Sequence, residues 1–302
     1  MTKASKWVLG IFAVVAVLFF LAIGFGVLLY IGATSDDGSV SSFGEKIAVV
    51  ELKGAINSSE DVVSQLKKHR GNRSIKAIVL RVDSPGGAVV PSQEIYEEVR
   101  KTRDAGKPVV VSMGSLAASG GYYVSCGATK IVANRGTLTG SIGVISQFIQ
   151  IEQLMDKIGI GSATVKSGKL KDSGSPFRKF TEEDRKYWES LIRDTFAQFV
   201  TVVERERHIP HKTLLGIADG RVFSGEQALE AGLVDTLGTY EDAVRIAADM
   251  VGIRGEPIVV KIKDRRRFGI FDLFFESARE NLLEAKSELL DQDILQYKLP
   301  YP

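Results

Sequence analysis

The amino-acid sequence predicts an α/β protein of repeated strand–helix units, preceded by one apolar segment long enough to span a membrane. Three observations lead to this fold class. Short runs rich in valine and isoleucine alternate with segments of helical periodicity between residues 46 and 253. Glycine-rich loops follow several of these runs, and residues 7–34 carry no charge. Strands separated by helices of this length pair in parallel through right-handed crossover connections.

The predicted elements follow from local composition. Apolar β-branched runs predict strands at residues 46–52, 75–82, 107–111, 129–133, 138–145, 163–165 and 258–262. Helical periodicity behind serine, threonine or proline predicts helices at residues 59–70, 92–103, 151–158, 181–208, 225–231 and 240–250. In parallel sheets the working loops gather at the carboxyl ends of the strands. Three glycine-rich loops fall there, at residues 83–87, 115–121 and 139–143.

The N-terminal apolar run predicts a membrane anchor. A spanning helix needs about 20 apolar residues, and residues 7–34 supply that length with some tilt. Lys3 and Lys6 precede the run, which predicts a cytoplasmic N-terminus and an extracytoplasmic remainder. A removed signal peptide is the alternative, because small residues at 32–35 permit cleavage. Residues 36–45 are rich in serine, glycine and aspartate and predict a linker.

Composition excludes several classes of protein. The net charge of +2 in 302 residues offers no basic excess for nucleic acid. The single cysteine, Cys126, excludes an internal disulfide and a multi-cysteine metal site, and we expect it to be a small buried hydrophobe. The three histidines, His69, His208 and His211, lie outside the motif-like stretches, and we expect all three at the surface. We therefore expect no zinc site, no cofactor and no histidine base.

Ser119 is the candidate nucleophile. Every residue from 117 to 121 is small, and this stretch joins a predicted strand to a predicted helix. A serine on such a turn projects its hydroxyl, and the amides of Gly120 and Gly121 are unpaired donors at a helix start. That arrangement suits a nucleophile with an oxyanion hole. Tight packing of a helix on a sheet is the alternative explanation for the small residues.

Lysine is the candidate base for this serine. An unperturbed lysine has a pKa of about 10.4, and lowering it to about 7 requires roughly 4–5 kcal/mol against the ammonium form. Burial without a carboxylate partner supplies such an effect, and Ser–Lys dyads use it. The loop at residues 166–176 holds Lys166, Lys169 and Lys171, of which at least two must be ordinary surface lysines.

Five separated motifs carry a resemblance to a known family. They lie at residues 83–87, 112–123, 137–144, 166–178 and 219–235. Together they resemble the signal peptide peptidase A family, membrane-anchored serine peptidases with a fold of the ClpP/crotonase type. The similarity covers residues 46–251 in order, together with the anchor, and the chain resembles the short, single-domain form of the family.

The resemblance implies a site and an assembly. It implies a Ser–Lys dyad with Ser119 as the nucleophile and Lys171, in the Lys-Asp pair before Ser-Pro, as the base. It also implies that the amides of Gly87 and Gly120 form the oxyanion hole, and that Ser141 orients the lysine. No cofactor is implied. Short-form members assemble into homo-oligomeric rings with shared active sites, so Lys171 is able to serve a neighbour's Ser119.

The resemblance favours cleavage of remnant signal peptides and other apolar peptides at the outer face of the cell membrane. One alternative is a related membrane peptidase that acts on a membrane scaffold protein. Two others belong to different classes: a crotonase-type acyl-thioester enzyme, which needs no nucleophilic serine, and a non-catalytic membrane adaptor. An active serine peptidase loses turnover with Ser119→Ala, which distinguishes it from both of these.

The predicted domain organisation has four parts. They are the N-terminus and anchor at residues 1–35, the linker at 36–45, the peptidase domain at 46–253 and a C-terminal extension at 254–302. The extension holds a basic run at 263–267 and an apolar helical stripe between 271 and 289. We favour packing of that stripe on the core or on another subunit, with contact to lipid as the alternative.

Overall fold

The fold is described from a computed structural model, which defines residues 18–21, 24–25, 45–261 and 296–298. The chain divides into two units, Met1–Gly44 and Glu45–Pro302. Of the predicted membrane span, the two short described stretches are helical, and the rest lies outside the described residues, as do the basic run and the apolar stripe. Within the described ranges, none of the helices combines the length and apolar character needed to cross a bilayer. The predicted division of the chain into four parts remains a prediction.

Strands and helices alternate through most of the second unit. The strands are β1 Lys46–Lys53, β2 Ile75–Ser84, β3 Gly86–Ala88, β4 Val109–Ala118, β5 Lys130–Ala133, β6 Leu138–Gly140, β7 Val222–Ser224, β8 Thr236–Leu237, β9 Ile258–Lys261 and β10 Gln296–Lys298. The helices are α1 Glu60–Gly71, α2 Val89–Asp104, α3 Gly120–Ser125, α4 Glu152–Lys157, α5 Glu182–Arg207, α6 His211–Leu215, α7 Gly225–Glu230 and α8 Tyr240–Met250. This alternation confirms the predicted α/β class.

A mostly parallel sheet organises the unit. Among the described residues its central order is β7-β6-β4-β2-β1-β9, with β5 paired to β4 and to β8. Every pair in this sheet is parallel except β6 with β7. The neighbouring strands β2, β4 and β6 therefore end at the same edge, at Ser84, Ala118 and Gly140. The three predicted glycine-rich loops meet at this edge.

Alternating side chains of the strands build a core on each face of the sheet. On one face, Val50 and Leu80 belong to a cluster that includes residues of α1, α2, α3 and α5. On the other face, Val49 and Val79 pack with Ala247 and other residues of α8. Strands buried on both faces are typical of parallel sheets covered by helices. The edge that carries the glycine-rich loops therefore belongs to a sheet that has a packed core on each face.

The structure contains four short elements that the sequence analysis did not predict, β3, β8, β10 and α6, and it differs from the prediction in three further segments. Strand β4 continues to Ala118 instead of ending at residue 111, because Leu116 pairs with Leu138 of β6 and Ala117 with Ser84 of β2. The strand predicted at 138–145 ends at Gly140, where positive φ angles at residues 140 and 141 turn the chain. The segment 163–165 is not a strand, since it has no ladder partner among the described residues.

Candidate active site

Ser119 lies on a strained turn between β4 and α3. Its φ of 52° and ψ of −114° are unusual for a residue with a side chain, and only 1% of the residue is exposed. The Ser119 amide donates to the Gly140 carbonyl at 2.8 Å, and its carbonyl accepts from the Tyr123 amide at 2.8 Å. Backbone strain of about 1–3 kcal/mol persists where the surrounding structure enforces it, often at reactive sites. A strained strand-to-helix turn also presents the serine of α/β-hydrolases.

Two glycine backbones approach each other beside Ser119. A Cβ placed on Gly120 would lie 3.2 Å from the Gly87 nitrogen and 2.6 Å from Ser92 Oγ. A Cβ placed on Gly87 would lie 2.4 Å from the Ile56 carbonyl oxygen. Neither glycine leaves room for a side chain, so the two main chains lie in contact next to the serine. Backbone amides in such a position suit the binding of an oxyanion.

Ser141 lies on the adjacent strand end. It follows β6, has a φ of 50° and is 5% exposed. Its amide donates to the Arg221 carbonyl at 2.8 Å. Because Ser119 donates to the carbonyl of Gly140, the residue before Ser141, the two strained serines are held at neighbouring positions. The structure therefore brings together four of the predicted site residues: Gly87, Ser119, Gly120 and Ser141.

Lys171 is not brought to this cluster by the described contacts. It lies in an irregular segment between α4 and α5, and it is exposed. Its amide donates to the Gly168 carbonyl at 3.1 Å. Within the part of the chain that the structure describes, its side chain has neither a hydrogen bond nor an ion pair.

The other two lysines of the segment are paired. Lys166 Nζ lies 2.6 Å from Asp172 Oδ1, and Lys169 Nζ lies 2.5 Å from Glu183 Oε2. A carboxylate at this distance stabilises the ammonium form of a lysine. Of the three candidate bases, Lys171 is therefore the one that has no carboxylate partner among the described residues.

An arginine–aspartate network fixes the segment that carries Lys171. Arg178 donates to both carboxylate oxygens of Asp184, at 2.6 and 2.8 Å, and lies 3.0 Å from Asp172. The hydrogen bonds from Arg178 hold the pKa of the buried Asp184 carboxyl well below its usual range. Hydrogen bonds from Lys166 and then Arg178 also lower the pKa of Asp172, the neighbour of Lys171. Asp184 forms a capping box with Thr181, so the network ties the segment to the first turn of α5.

Aromatic residues also connect the segment that carries Lys171 to α5. The Trp188 ring nitrogen donates to Ser173 Oγ at 3.0 Å, and the Phe148 ring packs on Phe180 and Trp188. The sequence analysis gave Ser173 no role within the motif at 166–178, and it did not identify Phe148, Phe180, Trp188 or Ser92, because these four lie outside the motifs. The capping sequence from Thr181 to Asp184 was the one feature of the sequence that indicated where this segment joins α5.

The three histidines and the single cysteine take no part in the serine cluster that the structure describes. His208 and His211 are exposed, as predicted, whereas the prediction of a surface His69 is wrong. His69 is 4% exposed at the end of α1, and burial, with smaller effects of Lys68 and Lys107, lowers its pKa to about 4. Cys126 is buried as predicted, and burial raises the pKa of its thiol to about 12. A thiol in that environment is a poor nucleophile.

Comparison with known proteins gives the family. Residues 101–254, just over half of the chain, match the family model described as peptidase family S49. A Synechocystis protein named as a protease is 43% identical over 210 residues, which cover 69% of this chain and 76% of that protein. An Enterococcus faecium protein named as a signal peptide peptidase SppA is 40% identical over 61% of this chain and 54% of its own length. The chloroplastic serine protease SPPA of Arabidopsis thaliana is 30% identical over 69% of this chain and 33% of its own length.

The residues that match the family model include the strained serine turn, Ser141 and the segment that carries Lys171. The chain therefore belongs to peptidase family S49 and is a serine peptidase, as the resemblance in the sequence implied.

Proposed function

We propose that this chain is a membrane-bound endopeptidase that cleaves remnant signal peptides and other apolar peptides with a Ser119–Lys171 dyad. The observation that carries the proposal is the strained Ser119 beside two touching glycine backbones. The name of the Enterococcus faecium relative supports the substrate class. We assign the chain the finer ClpP/crotonase-type fold, in which paired backbone amides polarise a carbonyl group.

The proposed reaction uses the residues of this edge in two steps. Ser119 Oγ attacks the carbonyl carbon of the peptide bond, and its proton passes to the neutral amine of Lys171. The amides of Gly87 and Gly120 hold the negatively charged oxygen. The carbon–nitrogen bond breaks as the leaving amine takes the proton from Lys171, which leaves an ester on Ser119. Water then attacks the ester while Lys171 accepts its proton; the bond between the acyl carbon and Ser119 Oγ breaks as Lys171 passes that proton to Oγ, which releases the acid and restores the serine hydroxyl and the neutral amine.

Ser141 has a positioning role in this proposal. Its location on the strand end next to Ser119 supports a hydrogen bond to the lysine amine when Lys171 enters the site. Such a contact directs the amine towards the hydroxyl of Ser119. Loss of that contact in Ser141→Ala is expected to lower kcat more than it changes KM, because the residue orients the base without binding the peptide.

Apolar side chains near the edge support an apolar substrate. Val90 is 61% exposed just after β3, and Leu138 and Val222 are also exposed on β6 and β7. Val222 pairs with Gly140, next to Ser141, so this apolar surface reaches the serine cluster. We place the reaction at the outer face of the cell membrane, with residues 7–34 as the anchor and the N-terminus in the cytoplasm.

A neighbouring copy of the chain is proposed to supply the lysine. The unpaired Lys171 supports this, as do exposed apolar residues on the segment that precedes it. These include Ile149, Leu154, Ile158 and Val165. Such residues are covered when a second copy packs against the segment. We propose a homo-oligomeric ring in which each Lys171 enters the site of the adjacent subunit.

The test measures hydrolysis of a fluorogenic apolar peptide by the full-length protein in detergent. Ser119→Ala and Lys171→Ala are each expected to abolish turnover, while Lys166→Ala and Lys169→Ala serve as matched controls and retain it. Turnover that persists in Ser119→Ala would contradict Ser119 as the nucleophile and would point to the thioester class or to a contaminant. Survival of Lys171→Ala together with loss in Lys166→Ala or Lys169→Ala would move the base to that residue.

Subunit sharing has its own test. Co-expression of Ser119→Ala and Lys171→Ala chains mixes the two subunits within one ring. If the lysine comes from a neighbour, roughly one site in four combines an intact serine with an intact lysine, and about a quarter of the wild-type activity returns. Activity that stays at the level of the separate variants contradicts a shared site.

A further inference from the structure

A cavity lies near the carboxyl ends of the strands, on the face of the sheet that α8 covers. It has a volume of about 360 Å³, and Arg81 of β2, Gly114 of β4 and Tyr240 of α8 line it together with residues of the loop between β5 and β6. Strand alternation places Arg81 on the same face as Val79, which packs with α8. None of the lining residues that the structure describes is acidic, so the wall holds no negative charge to offset that of Arg81.

One edge of the Arg81 guanidinium is fixed by the sheet. Its Nη1 donates to Ser112 Oγ at 2.8 Å and to the Met113 carbonyl at 3.0 Å. The centre of the Tyr240 ring lies 5.9 Å from the guanidinium carbon. Nε and Nη2 donate to none of the described residues, and no described carboxylate lies within ion-pair distance of Arg81. The one acidic residue of β2, Asp83, accepts instead from a backbone amide of β4 at 3.0 Å.

A half-buried arginine with a free edge is suited to an anion. Two parallel N–H groups bind the two oxygens of a carboxylate or of a phosphate, and such hydrogen bonds are about twice as strong as neutral ones. The planar fork of Arg81 is already oriented by its two bonds to β4 and by the Tyr240 ring, so little order is lost when a ligand binds. The cavity also has the size of a site for a small ligand.

The cavity lies at the same separation from the serine cluster along two paired strands. Ser115 of β4 and Thr137, directly before β6, line the cavity, and Ser119 and Ser141 follow them by four residues each. Because β4 and β6 pair in parallel between these positions, the two intervals run side by side. At about 3.3 Å per residue the separation is about 13 Å, which is the length of about four residues of an extended peptide. Leu138, which is 46% exposed, lies within this interval.

We propose that this cavity binds the free carboxylate at the C-terminus of the peptide substrate, with Arg81 as the bidentate donor. A remnant signal peptide is the product of an earlier peptide-bond cleavage, so its last residue ends in a carboxylate. In an uncleaved precursor the same residue continues into an amide. Recognition of the free end therefore restricts the enzyme to peptides that have already been released. The inference rests on the proposed function for the substrate class, and the interval of about 13 Å places the scissile bond about four residues before the carboxylate.

The kinetic test compares two peptides that differ only at the C-terminus, a free acid and its amide. Both carry an internal fluorophore and quencher, and both are assayed with the full-length protein in detergent. The acid is expected to have a KM about 10–100-fold lower, because a charge-assisted contact is lost in the amide. An unchanged kcat is expected, since a contact remote from the scissile bond is equally strong in the ground and transition states. Equal KM values for the two peptides overturn the proposal.

Two further sets of peptides exclude a general attraction of anions. An amide peptide with one glutamate near its N-terminus has the net charge of the acid and is expected to lack the gain in KM. Peptides that lengthen one residue at a time after the same scissile bond are expected to show the largest acid-over-amide preference at about four residues. A preference that is the same at every length contradicts the assigned cavity.

Substitutions of Arg81 connect this preference to the cavity. Arg81→Gln is expected to raise the KM of the acid to that of the amide, while Arg81→Lys keeps the charge without the fork and recovers only part of the preference. Arg135→Gln is the matched control, because Arg135 lies in the adjacent loop but is exposed and paired with Glu226. Survival of the preference in Arg81→Gln, or its loss in Arg135→Gln, contradicts the assignment. Urea unfolding shows whether Arg81→Gln keeps its fold, and the comparison of acid with amide on the unaltered protein decides the question if it does not.

Binding to the inactive Ser119→Ala protein tests the cavity without catalysis. Fluorescence anisotropy is expected to give a Kd about 10–100-fold lower for the acid than for the amide, and inorganic phosphate is expected to weaken binding of the acid alone. If phosphate binds while acid and amide have equal Kd values, the cavity takes a free anion and the proposal fails. Hydrolysis that persists in Ser119→Ala refutes the proposed function instead, so the two failures are distinguishable.

Discussion

The substitution Gly120→Ala tests the proposed oxyanion hole with a single methyl group. Gly120 has helical backbone geometry, so alanine fits its conformation and the effect is steric. The new Cβ would lie 2.6 Å from Ser92 Oγ, closer than a methyl group and an oxygen atom pack, and 3.2 Å from the Gly87 nitrogen. The methyl group therefore meets a side chain on one side and a proposed oxyanion donor on the other.

These two contacts have different expected costs. The clash with Ser92 overpacks a buried site, which costs about 1–3 kcal/mol of unfolding free energy. The contact with the Gly87 nitrogen keeps the substrate oxygen away from the two amides. Loss of one oxyanion donor lowers kcat by about 10²–10³-fold, or about 3–4 kcal/mol in the transition state. We expect Gly120→Ala to show both effects.

The double variant Ser92→Ala/Gly120→Ala separates them. Removal of the Ser92 hydroxyl eliminates the 2.6 Å clash and leaves the methyl group beside Gly87. Ser92→Ala alone is the control, and it costs about 1 kcal/mol because its hydroxyl donates to the Ala88 carbonyl at 2.8 Å. In urea unfolding the double variant is expected to match Ser92→Ala, while its kcat on the fluorogenic peptide stays about 100-fold lower.

The outcome that refutes this reasoning is recovery of catalysis. If kcat of the double variant lies within about threefold of that of Ser92→Ala, the methyl group does not obstruct the oxyanion. The Gly120 and Gly87 amides would then not be the donors that stabilise the transition state.

Three further predictions concern stability. Buried His69 is neutral in the fold and has a pKa of about 4, so its contribution is complete above pH 6.5 and falls as the pH drops towards 4. Urea unfolding across this window is expected to show a loss of about 2 kcal/mol, after allowance for solvent screening, that His69→Gln lacks. Asp184→Asn removes the carboxylate partner of Arg178 and is expected to cost about 2 kcal/mol at pH 7. Because the pKa of Asp184 is lowered in the fold, the wild-type advantage over this variant is complete above about pH 4 and shrinks at lower pH. Gly87→Ala places a Cβ 2.4 Å from the Ile56 carbonyl oxygen and is expected to cost about 3 kcal/mol or more in thermal unfolding; a loss below about 1 kcal/mol contradicts the close approach.

Local signals were sufficient for many elements of the fold. The helix predicted at 240–250 is α8, and the capping boxes at Thr181 and Ser224 start α5 and α7 as their sequences indicate. Capping uses side chains within three residues of each other, so a single sequence carries this information. The end of β4 cannot be predicted in this way, because Leu116 is held in the strand by its pairing with Leu138 of β6, 22 residues later in the chain.

The same distinction applies to the site. The small residues around Ser119 indicated a turn with room for a substrate, and parallel pairing of β2, β4 and β6 brought its loop to those of Gly87 and Ser141. The contact between Ser92 and Gly120 and the pairing of β10 with β3 depend on tertiary packing, which no local pattern encodes. The surface prediction for His69 failed for the same reason, since its charged neighbours in the sequence concealed a buried position.

The proposed function describes a chain that is inactive by itself. The nucleophile and the glycine amides lie on the rigid edge of a sheet that is covered on both faces, and this part of the site is complete in one chain. The base lies on an exposed segment fixed through Arg178 and Asp184, without a described contact to the serine. Activity then requires entry of a neighbour's lysine, which depends on protein concentration. Specific activity of the wild-type protein is therefore expected to fall on dilution below the assembly threshold, and a specific activity that is independent of concentration would contradict a shared site.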